Sequence, residues 1–109
     1  MLEGIHHAAI ISSNYEVSKK FYVEVLGLKV LAENYREARE SWKLDLAMPD
    51  GSQIELFSFA SPPARTSRPE ACGLRHLAFR VRDLDAVYKV CLLYLSSLPC
   101  MHACMFVWS

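Results

Sequence analysis

Two histidines and one glutamate carry the chemistry that this sequence suggests. His7 and His76 each sit in a short apolar stretch, and Glu55 lies between them in a third. Imidazole nitrogens and a carboxylate together suit a divalent ion such as zinc, nickel, manganese or iron. Taken singly, a strand histidine is more often a surface or hydrogen-bonded residue. An internal repeat links two of the three. A shift of 69 places (73 − 4 = 69) sets Gly4 on Gly73, Ile5 on Leu74, His7 on His76 and Ala9 on Ala78. Asn14, Glu16 and Lys20 then fall on Asp83, Asp85 and Lys89. Duplicated halves bring equivalent positions together about a pseudo-twofold axis, so His7 and His76 are expected to share a site. Glu55 is placed on a strand face with Phe57 and Phe59, a poor setting for a carboxylate that has no partner. The same shift puts the counterpart of Glu55 at position 124 (55 + 69), past residue 109.

Other groups point less directly to chemistry. Arg36, Glu37, Arg39, Glu40, Trp42 and Lys43 form a dense charged cluster around one tryptophan. Arg36, Arg39, Trp42 and Lys43 are candidates to line a pocket for an anionic substrate; a solvated strand edge is the simpler account. His6 adjoins His7 but faces the other side of a strand, so it is read as a supporting or solvent residue. Cys100-Met101-His102-Ala103-Cys104 looks superficially like half of a zinc site, but no second pair stands at ligand spacing. There is no glycine-rich phosphate loop and no nucleophile elbow.

The elements that must position these residues follow from periodicity and punctuation. Residues 5–11 read as a strand, and Ser13 with Glu16 has the spacing of a capping box. Val17, Phe21 and Val25, with Tyr22 and Leu26 beside them, make one face of a helix that Gly27 stops. Strands are predicted over 28–31, 42–48 and 53–59, with Pro49-Asp50-Gly51 as a turn. Residues 61–73 read as a loop and 74–81 as a strand. Asp83 caps a helix running to about Leu95. Both copies of the repeat therefore begin strand, polar break, helix.

Length and composition bound the rest. A chain of 109 residues fits one domain, and 52% hydrophobic residues exclude a disordered chain. Twelve basic residues balance twelve acidic ones, so charge gives no reason to expect nucleic acid or an anionic membrane. No basic, apolar leader opens the sequence, and the expected location is cytoplasmic, with free thiols. From Val90 to Ser109 there is no Asp, Glu, Lys or Arg, and three of the four cysteines lie there. This tail reads as an altered C-terminus, of the kind a frameshift or alternative exon produces; the plainer reading is a hydrophobic helix and strand in the core. Residues 99–109 are expected to be irregular or loosely packed.

These landmarks resemble a known family. Ile5-His6-His7-Ala8-Ala9-Ile10, Phe21-Tyr22 and Leu26-Gly27-Leu28 look like the opening of a glyoxalase I-like protein of the vicinal oxygen chelate superfamily. Ile54-Glu55-Leu56-Phe57 and Gly73-Leu74-Arg75-His76-Leu77-Ala78-Phe79 match its next landmarks. The resemblance implies an α+β fold of two βαβββ modules around one metal. Here module one would span about 4–60, a linker 61–72 and an incomplete module two 73–109, in one domain. It implies that His7, Glu55 and His76 are metal ligands, with zinc or nickel placed ahead of manganese or iron, and that Glu55 moves the proton. The implied activity is that of a lactoylglutathione lyase-type enzyme, acting on a small vicinal-oxygen substrate such as a glutathione adduct through an enediolate. The family's usual fourth ligand is a glutamate on the final strand, which this sequence lacks. A homodimer is expected. The alternatives are a non-catalytic module that sequesters small molecules, and an inactive fragment.

Overall fold

A computed structural model describes residues 1–66, 68–95 and 105–108, with residues 95 and 105–108 described by backbone alone. The chain divides into two compact units, Met1–Ala64 and Arg65–Ser109.

The first unit runs β1 (His7–Ser12), α1 (Tyr15–Lys20), a π-helical turn (Phe21–Val25), β2 (Lys29–Arg36), β3 (Ser41–Ala47) and β4 (Gln53–Ser58). The helix starts one residue later than a Ser13 cap requires. Asn14 is the cap: its Oδ1 accepts the Val17 N–H at 3.3 Å. The stripe Val17, Phe21, Val25 is also corrected. The Leu26 N–H reaches five residues back to the Phe21 carbonyl at 2.9 Å, which widens the turn and rotates the face that follows. Phe21 and Tyr22 of the stripe are buried as expected, Val17, Val25 and Leu26 are only half-buried, and Tyr15 and Ser18 are buried in addition. Gly27 ends the segment at φ +72°, a conformation that a side chain would strain.

The strands form one sheet in the order β1-β4-β3-β2. β1 and β4 are parallel, and the two hairpin pairs are antiparallel. The turn at Asp50 sets the β3–β4 register. The Asp50 carboxylate accepts from the Ser52 N–H at 2.9 Å and from its hydroxyl at 2.6 Å, and Gly51 takes φ +88°. Residues across this hairpin pair symmetrically about Asp50, so Asp45 stands opposite Glu55.

One face of the sheet is covered by α1. Leu44, Leu46 and Leu56 are fully buried there and Ile54 nearly so, under Tyr15, Phe21 and Tyr22. Burying each of these side chains contributes roughly 1.5–3 kcal/mol. Strand alternation sends the odd-numbered residues of β3 and β4 to the other face. β2 joins that pattern through an irregularity. Its pairing shifts by one residue between Val30 and Ala32, so Arg36 pairs with Ser41 and Tyr35 with Trp42. A one-residue shift reverses which side chains face which way. Without it Arg36 would point to the helix-covered face.

The second unit holds β5 (Leu77–Arg80), α2 (Leu84–Leu95) and β6 (Met105–Trp108). Asp83 caps α2 as expected, accepting the Ala86 N–H at 3.0 Å. β5 and β6 are parallel neighbours. An irregular 99–109 is therefore overturned for residues 105–108, which gain their regularity from pairing with β5. The described residues carry one strand after α2, where the first unit has three after α1. Among the described residues no helix is long and apolar enough to cross a membrane. The Cys100-to-Cys104 motif lies outside the described residues.

Candidate functional site

The parallel pairing of β1 with β4 sets His7 opposite Gln53 and Ala9 opposite Glu55. His7 and Glu55 are thus diagonal neighbours on the face that α1 leaves uncovered. His7 Nε2 lies 3.7 Å from Glu55 Oε2. Two donors each about 2.1 Å from a common ion at a tetrahedral angle stand about 3.4 Å apart, so this pair fits two sites on a metal. His7 Nδ1 stands 2.9 Å from His6 Nδ1. With its proton on Nδ1 and donated to His6, His7 presents a lone pair at Nε2, the atom that faces Glu55. His6, read from sequence as a supporting or solvent residue, makes this contact from just ahead of β1.

Lys43 completes a polar chain. Its Nζ is 2.8 Å from Asp45 Oδ1 and 3.1 Å from Glu55 Oε1. The hydrogen bond to Asp45, with a further one to Glu55, holds the ammonium above the ordinary lysine value, against the burial that lowers it. One cation therefore lies between two carboxylates that are cross-strand neighbours. Asp45 was not singled out from the sequence. Its signal was available in the turn, since a hairpin centred on Asp50 sets residue 45 against residue 55.

Farther along the same face the charge turns positive. The Arg36 guanidinium stands 5.0 Å over the Phe57 ring and 5.9 Å over Phe59. Arg39 stands 5.9 Å over Phe59, and Lys43 Nζ 6.0 Å over Phe57. Arg36 Nη2 donates to Ser41 Oγ at 3.0 Å, and Ser41 is fully buried. Arg36 Nε is buried with no hydrogen-bond partner among the described residues. An orphaned donor of this kind costs about 1–3 kcal/mol.

Of the four residues read as a pocket, Arg36, Arg39 and Lys43 meet at these two phenylalanines and Trp42 does not. Trp42 stacks on Tyr15 of α1, 6.0 Å between centroids, and packs against Tyr35 at 5.1 Å, on the helix-covered side. Strand alternation alone separates it from Lys43.

Of the three residues read as ligands, His7 and Glu55 stand together in the first unit. His76 lies in the second unit, immediately before β5. Among the described residues no group of three His, Cys, Asp or Glu side chains is assembled to hold a metal ion. The second unit answers one further expectation. In the first unit Ala9 pairs with Glu55; at the equivalent place in the second, Ala78 pairs with Phe106. The register position equivalent to Glu55 is therefore occupied within the chain, by phenylalanine rather than a carboxylate.

Comparison with known proteins places this arrangement in a family. Residues 4–92 match the model of the Glyoxalase/Bleomycin resistance protein/Dioxygenase superfamily. Over 85 residues the chain is 61% identical to the uncharacterized protein YaeR of Escherichia coli, covering 78% of this chain and 66% of that protein. The chain thus spans just under two thirds of that relative's length. A glyoxalase family protein from Enterococcus faecalis has a solved structure that aligns at a TM-score of 0.75 with 46% identity, over 84% of this chain and 72% of the other. The fosfomycin resistance protein FosX from Listeria monocytogenes, solved with Mn(II) and a sulfate ion, aligns at 0.65 with 16% identity, over 85% of this chain and 72% of that one. That likeness is one of fold. With 89 of its 109 residues (4 to 92) inside the family model, the chain belongs to the Glyoxalase/Bleomycin resistance protein/Dioxygenase superfamily.

Proposed function

We propose that this chain is a divalent-metal-dependent lyase or isomerase of the glyoxalase I type, acting on a small substrate with two adjacent oxygens. His7, Glu55 and His76 are its ligands, and Glu55 is also the group that moves the proton. The observation that supports this most is the 3.7 Å approach of His7 Nε2 to Glu55 Oε2, on a sheet face that no helix of the first unit covers. The Mn(II) bound by FosX, a protein of the same fold, supports a metal in general and not a particular one. A divalent ion, when bound, supplies Lewis-acid stabilisation of negative charge on the substrate oxygens. The chain's own residues do the rest. His6 holds the His7 tautomer. Lys43 donates to Glu55 Oε1 and leaves Oε2 toward His7. A carboxylate held at one oxygen can accept a proton at the other, within hydrogen-bond reach of a bound substrate. Cytoplasmic location and a homodimer belong to the same reading.

The test is calorimetric titration of the chelated full chain with zinc, nickel and manganese, beside an assay of methylglyoxal with glutathione. Substituting His7, Glu55 or His76 by alanine should each weaken metal binding at least tenfold. Metal binding untouched by all three substitutions would remove the reading. A second reading is a metal-free module that sequesters a small molecule. The Lys43 ammonium against Glu55 favours it, because that carboxylate already has a cation. No metal uptake together with saturable binding of a small molecule would establish it.

A further inference from the structure

The pair of arginines at the β2–β3 turn has no place in the chemistry above. Arg36 is the last residue of β2, and Arg39 lies in the turn that follows. Among the described residues neither has a carboxylate within ion-pair distance, although Glu37 and Glu40 adjoin them in sequence. Five ion pairs of the first unit engage Lys19, Lys20, Lys43 (twice) and His7, and none engages an arginine. Aromatic rings hold these guanidiniums instead. Phe57 and Phe59 are stacked at 6.1 Å with planes 14° apart, and Arg36 lies over both.

A ring attracts the face of a guanidinium and leaves its edge unsatisfied. That edge carries five N–H donors in a fixed fork. Ser41 takes one of them, and the buried Nε takes no partner. The geometry points to a binding subsite for a carboxylate, the planar two-oxygen acceptor that a guanidinium edge engages in parallel. Arg36 supplies the fork, Arg39 and Lys43 add positive charge, and Phe57 and Phe59 form an apolar floor. The substrate class follows: a small acid, its carboxylate on Arg36 and its reacting end toward Glu55. Glu55 and Phe57 are two residues apart on β4, roughly 7 Å along the strand, which one small molecule spans. This deepens the proposed function and rests on it only for which end of the acid reacts. The carboxylate subsite stands without the metal.

The experiment uses the full chain, freed of metal by chelation, and follows arginine Nε–H and backbone signals by NMR. Sodium acetate is titrated at constant ionic strength, with acetamide as the neutral probe of the same shape and sodium methylphosphonate as the rival oxyanion. Acetate should shift the Arg36 Nε–H signal saturably, and acetamide should not. Arg36→Gln should weaken acetate at least tenfold, Arg36→Lys less, and the exposed Arg39→Gln about twofold to fivefold. If Arg36→Gln fails to fold, Arg39→Gln and the acetate-to-acetamide ratio of the unaltered chain decide the matter. Acetamide binding as well as acetate, no acetate binding, or folded Arg36→Gln binding acetate unchanged would each overturn the subsite. Stronger binding of methylphosphonate than acetate would overturn the choice of carboxylate. His7→Ala should leave acetate binding unchanged, so loss of the metal reading and loss of this one are separate results.

Discussion

Replacing Lys43 by methionine removes the ammonium and keeps most of the side chain's volume. In the unaltered chain that ammonium lies 2.8 Å from Asp45 and 3.1 Å from Glu55. At an effective dielectric of about 20, a unit pair at such distances attracts by about 5–6 kcal/mol before desolvation and screening. The three side chains are 18–29% exposed, so most of this is lost to solvent, and a net of about 1 kcal/mol is expected for the folded protein. Two consequences have opposite signs. Without metal, Lys43→Met leaves Asp45 and Glu55 as uncompensated neighbours, and urea denaturation of the chelated protein should show a loss of about 1 kcal/mol. With metal, the resident cation no longer competes for Glu55, and affinity for zinc or nickel should rise about tenfold, or 1.4 kcal/mol. The pH dependence has a definite sign. Lys43 is raised above its ordinary value in the folded chain, so its contribution is complete below the unfolded value of about 10.4 and is lost as pH rises through the folded one. The stability gap between the two proteins should therefore be constant near neutrality and shrink only in the alkaline range. Metal affinity unchanged or lowered by Lys43→Met would refute the competition and leave Lys43 only its positioning of Glu55.

Two further outcomes are expected. His6→Ala should lower metal affinity about tenfold by freeing the His7 tautomer, with an unchanged far-ultraviolet spectrum and melting point; an unchanged affinity would show that His7 needs no partner. Leu44→Ala empties a fully buried position under α1 and should cost about 2–5 kcal/mol in denaturant unfolding; a loss under 1 kcal/mol would mean that the sheet closes over the gap.

What the sequence by itself determined is local or repeated. Gly27 and the Asp50–Gly51 turn are legible because left-handed backbone favours glycine and because an aspartate side chain caps the amides that follow it. Asp83 is legible as a cap for the same reason, and the repeat marks His7 and His76 as equivalent without any knowledge of pairing. The Ser13 cap and the ends of the stripe, Val17 and Val25, differ from expectation where a one-residue offset and a widened turn shifted the helix, while Phe21 and Tyr22 in its middle are buried as read. Such shifts depend on how α1 seats on the sheet, which no local spacing records.

Only the tertiary structure decided what stands beside what on the sheet. His7 and Glu55 lie 48 residues apart (55 − 7) and meet because β1 returns parallel to β4 across an intervening helix and hairpin. The irregularity between Val30 and Ala32 turns Arg36 toward Phe57 and sets Tyr35 beside Trp42. A strand's alternation is written in the sequence, but its phase relative to a neighbour is not. That phase is set by which face must be buried and by a single unpaired residue, and here it puts Tyr35 on the helix-covered side and Arg36 on the open face.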